Sequence, residues 1–350
     1  MKALYAQDSA NAPRLETDLF FYDENATACY HGVIDEAFRY IEDFQLLDPA
    51  LWARFVRQFR DHTDTDGGWR GEYWGKMMRG AAFVYAYTKN ETLYHILTDT
   101  VNDMILAADD DGRISSYTRE GEFDAWDLWS RKYVLLGMQY FLEICRDREM
   151  HERTVRAMCR QTDYLLEHIG PAEQGKKPIT SATRHWRGLN SASLLEPIVR
   201  LYSLTGEQRY FDFASYIVST GATDIVNIFE LAYENDLSPY QYPVTKAYEM
   251  TSCFEGLLEY YRLTKNERYK TAIIHFADRI LAEDFTVIGC AGCTHELFDR
   301  STVRQANKTN MGTMQETCVT VTLMKFFYQL HLLTGDSRYA DAFECSLYNA

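Results

Sequence analysis

Thr264-Lys265-Asn266-Glu267, followed by Arg268-Tyr269, is the stretch that decides the fold. It separates the apolar, aromatic run 252–263 from a second run, 269–282, whose charges keep to one side. That is a buried helix, a short polar turn and a more amphipathic helix. The same punctuation recurs at Thr88-Lys89-Asn90-Glu91, Arg146-Asp147-Arg148-Glu149, Thr205-Gly206-Glu207 and Thr334-Gly335-Asp336. Arg-Tyr follows again at Arg209-Tyr210 and Arg338-Tyr339. The first four turns are about 59 residues apart and the last about 70, which marks stacked copies of one helical hairpin.

Six hairpins are predicted. The first runs over 30–60 and is broken at Asp48-Pro49. The others pair 75–87 with 93–107, 127–144 with 151–168, 193–204 with 210–219, 252–263 with 269–282, and 317–333 with 337–350. The first helix of most pairs is nearly free of charge and the second carries a charged face. An inner ring wrapped by an outer ring satisfies that difference, so the expected fold is all-α, a single (α/α)6 barrel over residues 1–350. An open superhelical array is the competing architecture. The longer segments 108–126, 170–190, 221–248 and 283–315 each precede an inner helix and are expected on one rim, where function usually sits.

Composition narrows the function. A net charge of -15 gives no basic face for nucleic acid or an anionic membrane. No apolar run is long enough to span a bilayer, and residues 1–14 hold no apolar segment of a secretory signal. Eight scattered cysteines fit buried thiols in a reducing cytoplasm better than a disulfide scaffold.

Gln315-Glu316-Thr317-Cys318 opens the last inner helix. Thr317 has the chemistry of a helix cap. The run behind it, from Val319 to Leu333, is apolar on every face except for Lys325 and is expected to be buried all round. A carboxylate and a thiol therefore sit together at the mouth of a buried helix. Capping and packing is the bland reading. The sharper one is a site, because a carboxylate there needs a partner, a hydrogen bond or a metal. The loop Ile288-Gly289-Cys290-Ala291-Gly292-Cys293-Thr294-His295-Glu296 is the second landmark. Cys290-x-x-Cys293 has zinc-ligand spacing, but one such pair is weak evidence. Glu296 and Glu316 could face each other as the paired carboxylates of glycoside chemistry. The other leaders of inner helices mix Trp with polar groups, as a sugar site does: Asp127, Trp129 and Arg131; His185, Trp186 and Asn190; Tyr248 and Glu249. Ordinary capping and rim solvation is the alternative for any one set.

These leaders resemble those of glycoside hydrolase family 127, the β-L-arabinofuranosidase-like group. The resemblance rests on Trp126-Asp127-Leu128-Trp129-Ser130-Arg131-Lys132, Ser193-Leu194-Leu195-Glu196-Pro197 and Tyr248-Glu249-Met250-Thr251-Ser252-Cys253. It continues through Glu316-Thr317-Cys318 and Thr334-Gly335-Asp336, and covers roughly residues 70–350. It implies an (α/α)6 barrel and a retaining hydrolase that removes L-arabinofuranosyl or a related sugar from a non-reducing end. It also implies zinc bound through Glu316 and Cys318, with Glu296 as acid/base. In the family two further zinc-binding Cys, one of them the nucleophile, lie beyond the barrel, in members that continue into β-sandwich domains. This sequence has no adjacent Cys-Cys pair, so the barrel alone is expected here, as a cytoplasmic protein and a possible homodimer. A sugar epimerase or lyase using His185 or Tyr248 as base, and a non-catalytic carbohydrate-binding barrel, are the competing functions.

Overall fold

The computed structural model describes residues 12–20, 29–306 and 315–350. The expectation about residues 1–14 therefore lies mostly outside the described residues, as does part of the 283–315 segment. Among the described residues the regular structure is helical, with β-pairing limited to isolated bridges. No described helix is long and apolar enough to cross a membrane.

The hairpins fall where the period places them. The pairs are Glu72–Thr88 with Glu91–Leu106, Asp127–Leu142 with Arg148–His168, and Leu195–Thr205 with Gln208–Ser219. Ala247–Thr264 with Glu267–Glu283 and Thr317–Thr334 with Ser337–Asn349 follow. The leading hairpin is Val33–Ile41, a π-helical turn Glu42–Leu46, and Pro49–Asp61. Asp48 breaks it by capping the Ala50 amide at 2.9 Å, with Pro49 at the first helical position.

The recurrent turn has three working parts. The residue after the helix takes the left-handed conformation at Lys89, Gly206, Lys265 and Gly335. Its N–H donates to the carbonyl four residues back, at 2.7–2.8 Å, satisfying one of the carbonyls the helix end leaves open. The preceding Thr hydroxyl accepts the next amide but one, from Asn90, Glu207, Asn266 and Asp336. The Asn or Asp then caps the following helix at Asn90, Asn266 and Asp336. Asp147 caps the Met150 amide in the same way.

Two compact units emerge. Of the described residues, the first comprises 29–183 and 200–207; the second comprises 12–20, 184–199, 208–306 and 315–350. In the first unit, Glu72–Thr88 and Asp127–Leu142 approach with backbone almost touching backbone. A Cβ on Gly137 would lie 2.7 Å from the Trp74 ring and 2.9 Å from the Gly75 Cα, and one on Gly75 would overlap the Tyr133 carbonyl. Only glycine leaves room there.

Asp127, Trp129 and Arg131, expected at the barrel mouth, lie in the same unit. All three are closed to solvent in this structure and bonded into the scaffold. Arg131 bonds Asp127 at 3.0 Å and Glu122 at 2.5 Å. Arg113 adds a second bond to Glu122 at 2.7 Å, and Asp127 accepts from the Ser115 hydroxyl at 2.5 Å and the Phe123 amide at 2.9 Å. Trp129 donates its indole N–H to Glu72. Burial opposes charge on Glu122, yet the Arg131 guanidinium beside it holds its carboxyl below the usual range. Paired charges of this kind pin the segment 109–127 to the helix that follows it.

The second unit ties the start of the described chain to its later helices. Arg262, fully buried, bonds Asp18 at 2.7 Å and Glu259 at 3.2 Å. The Phe20 amide donates to the Leu332 carbonyl at 3.0 Å.

Candidate active site

The candidate site lies in the second unit. Helix Glu267–Glu283 ends at Asp284, and the glycine loop begins. The buried Asp284 Oδ1 accepts the amides of Asp299 at 2.9 Å and Ser301 at 3.1 Å, so one carboxyl clips the two ends of the loop together. Gly289 is left-handed and rides on the last helix, where a Cβ would stand 2.6 Å from the Ser346 nitrogen. Ser346 returns a hydrogen bond to the Gly289 carbonyl at 2.6 Å.

Burial pushes the Asp284 carboxyl up to about 6, from an ordinary 3.8. Between those values the folded state binds more protons than the unfolded one, so this group's contribution falls as pH rises through that window. Two units correspond to about 3 kcal/mol. Asp284→Asn keeps an acceptor oxygen and removes the titration. Urea denaturation at pH 4, 5, 6 and 7 is expected to show wild type losing about 2–3 kcal/mol relative to Asp284→Asn across the series. Parallel curves for the two proteins would refute it.

The loop and the last inner helix meet. A Cβ on Gly292 would stand 3.3 Å from the Glu296 Cα and 3.3 Å from the Val319 Cγ2. Gln315 Oε1 accepts from the Cys290 thiol at 2.7 Å, and the Gln315 side chain also reaches Cys293. Burial pushes both thiols up, away from the thiolate form that binds metal. The two landmarks read from the sequence are thus packed against each other.

Glu316, and not Thr317, caps the helix Thr317–Thr334; its Oε2 accepts the Val319 amide at 2.9 Å. A carboxylate suits that position because it also meets the positive end of the helix. Thr317 and Cys318 are exposed. The helix is not buried all round as expected, since Val321 and Tyr328 are 42% and 39% exposed. Val319, Leu323, Phe326, Phe327, Leu330 and Leu333 form its buried stripe. Glu316 and Cys318 supply an oxygen and a sulfur donor, the types zinc takes, but structural zinc needs four ligands and catalytic zinc three plus water. Among the described residues no group of three or more His, Cys, Asp and Glu is gathered for a metal.

Glu296 is half-buried and left-handed at φ 62°, as is His295 at φ 50°. Its carboxylate pairs with Lys246, a residue sequence reasoning missed. Lys246 sits at the cap position of helix Ala247–Thr264. A cation at a helix N-terminus opposes the dipole, which was the available signal that something else holds it there. Trp186 is 36% exposed, and the Lys246 ammonium lies 5.0 Å from its ring centroid. His185 is half-buried just before it. Asn190, Tyr248 and Glu249 are buried at the starts of their helices, with exposures of 1%, 6% and 2%. The structure therefore gathers Trp186 and Glu296 around Lys246, brings the Glu316 helix against the Glu296 loop, and sinks Asn190 and Glu249 into the interior.

Comparison with known proteins adds the family. The β-L-arabinofuranosidase, GH127 catalytic domain matches residues 20–350. The chain belongs to that family. A GH127 β-arabinofuranosidase structure aligns over 90% of this chain and 50% of its own, at 20% identity and a TM-score of 0.64. A GH127 β-L-arabinofuranosidase from Geobacillus stearothermophilus T6 aligns over 93% of this chain and 56% of its own, at 15% identity and a TM-score of 0.68. This GH127 chain thus spans about half the length of these structures. At such identities the likeness shows the fold, the all-α barrel class expected from the hairpin count. No curated protein matches the sequence.

Proposed function

We propose that this GH127 chain carries the sugar-binding and acid/base part of a retaining glycoside hydrolase. The substrate is an L-arabinofuranoside or a related sugar at a non-reducing end. One observation supports the reading above the rest: Gly292 packs between Glu296 and Val319, so the loop acid and the Glu316-Thr317-Cys318 turn share one neighbourhood. Glu296 is the proton donor to the leaving oxygen and afterwards the base that takes a proton from water. Trp186, the exposed aromatic beside it, offers a ring face edge for the sugar's apolar side. Glu316 and Cys318 are proposed as two zinc donors; bound zinc would keep the sulfur as thiolate. Among the described residues no third His, Cys, Asp or Glu joins them in a metal-binding group. None of the eight cysteines is in a disulfide, which supports a reducing, cytoplasmic setting.

The test is release of L-arabinose from an aryl β-L-arabinofuranoside by the purified protein, with zinc content measured in parallel. Glu316→Ala and Cys318→Ser are expected to lower bound zinc sharply. Zinc stoichiometry indifferent to both substitutions removes the metal role. Absence of both sugar release and arabinose binding by calorimetry rejects the glycosidase reading.

A further inference from the structure

We propose that Lys246 is the positioning residue for Glu296, setting the direction from which the acid addresses the leaving oxygen. The inference rests on the reading of Glu296 as proton donor. Four observations carry it. The Lys246 ammonium pairs with Glu296 Oε2, and the lysine side chain is only 8% exposed, so the pair is not a loose surface contact. The backbones on either side are clamped together. The Ala247 amide donates to the Glu296 carbonyl at 2.9 Å, the Phe298 amide donates to the Thr245 carbonyl at 2.7 Å, and Lys246 and Leu297 form an antiparallel bridge. The loop holds its shape against backbone strain, with His295 and Glu296 both left-handed. Non-glycine residues stay in that region only where their surroundings over-determine them.

The fourth observation is that Lys246 joins a second strained loop to the first. Trp186 and Arg187 are left-handed as well, at φ 49° and 56°. Arg187 is held by Asp224 through a 2.9 Å side-chain ion pair, and its carbonyl accepts the Asp224 amide at 3.0 Å. The Trp186 ring lies under the Lys246 ammonium, a cation–π contact. One ammonium therefore touches both the acid and the exposed aromatic of the proposed sugar site. Its position at the start of a helix, where a cation is disfavoured, is offset by these two partners.

A lysine that merely stabilised the fold would lower activity uniformly. A lysine that aims an acid affects the proton-dependent step alone. Lys246→Met, Lys246→Gln and Lys246→Arg are compared with Glu296→Gln and the Lys246→Met/Glu296→Gln double variant in the full-length protein. Each is assayed on an alkyl β-L-arabinofuranoside, whose leaving group needs the proton, and on a dinitrophenyl one, whose leaving group does not. Lys246→Met and Lys246→Gln are expected to lower kcat about 10- to 100-fold on the alkyl substrate and less than about 3-fold on the activated one, with KM nearly unchanged. Lys246→Arg is expected to recover most of the loss. The double variant is expected to be no slower than Glu296→Gln alone, because the lysine acts through the glutamate. A uniform loss on both substrates, a loss in KM alone, or additive losses in the double variant overturn the proposal. If Glu296→Gln itself shows no leaving-group dependence, the reading of Glu296 as donor fails and this inference falls with it. If Glu296→Gln shows the dependence and the Lys246 variants do not, this inference alone fails.

Discussion

Replacing Lys325 with Met is expected to cost about 3–5 kcal/mol of folding stability, the range for breaking a buried ion pair from one side. Lys325 rises from helix Thr317–Thr334 and places its ammonium 2.7 Å from both carboxylate oxygens of Glu196 and 3.1 Å from Glu255 Oε2. Those partners come from helices Leu195–Thr205 and Ala247–Thr264. The side chains of Glu196 and Glu255 are 1% and 5% exposed. Thr322 adds a bond to Glu255 Oε1 at 3.3 Å. Removing the cation takes the ammonium away from two buried carboxylates that lie beside each other. Methionine fills nearly the same volume, so the loss reports charge and not a cavity. Urea denaturation at pH 7 measures it as a fall in midpoint at constant slope. Replacing all three residues with Met or Leu is expected to recover much of the loss, since an apolar trio has no unpaired charge to bury. A shift under about 1 kcal/mol for Lys325→Met would show that solvent reaches the cluster.

Glu296→Gln is expected to lower kcat on an alkyl arabinofuranoside by about 10²–10⁴-fold, the usual worth of a placed general acid. Glutamine keeps the length of the side chain but cannot give or take the proton. It can still accept a hydrogen bond from Lys246, so the loop should stay in place and arabinose binding should change little. Steady-state kinetics and calorimetry on the same preparation separate the two effects. A loss of less than about 3-fold would move the acid/base role to another residue. Matched losses in binding and kcat would instead mark Glu296 as a contact residue.

Some of this architecture was legible without coordinates. The turns Thr88-Lys89-Asn90, Thr264-Lys265-Asn266 and Thr334-Gly335-Asp336 act over three or four residues, and the helices they separate came out within a few positions of expectation. Lys325 is the single formal charge of the last inner helix, and the structure shows it holding two buried carboxylates. Glu296 and Glu316, about 20 positions apart in sequence, were read as candidate partners; Gly292 packs the Glu296 loop against Val319, while the Glu296 carboxylate meets Lys246 and the Glu316 carboxylate caps the Val319 amide. The burial of Asp127 and Arg131 was not legible, because charged residues at a helix start look the same whether they face water or one another. Only the segment 109–127 folding back with Glu122 shows that they are buried. Thr317 misled because Glu316, one residue earlier, competes for the same amide and reaches it.

The sequence by itself determined the helices, their turns and the family, because helical period and capping are local and repeat along the chain. Tertiary structure decided which charges meet: Lys246 with Glu296, Lys325 with Glu196 and Glu255, Arg131 with Glu122. Those encounters depend on how loops without a period close in space. An ion pair forms wherever that closure puts opposite charges within about 4 Å and excludes enough water to make them hold.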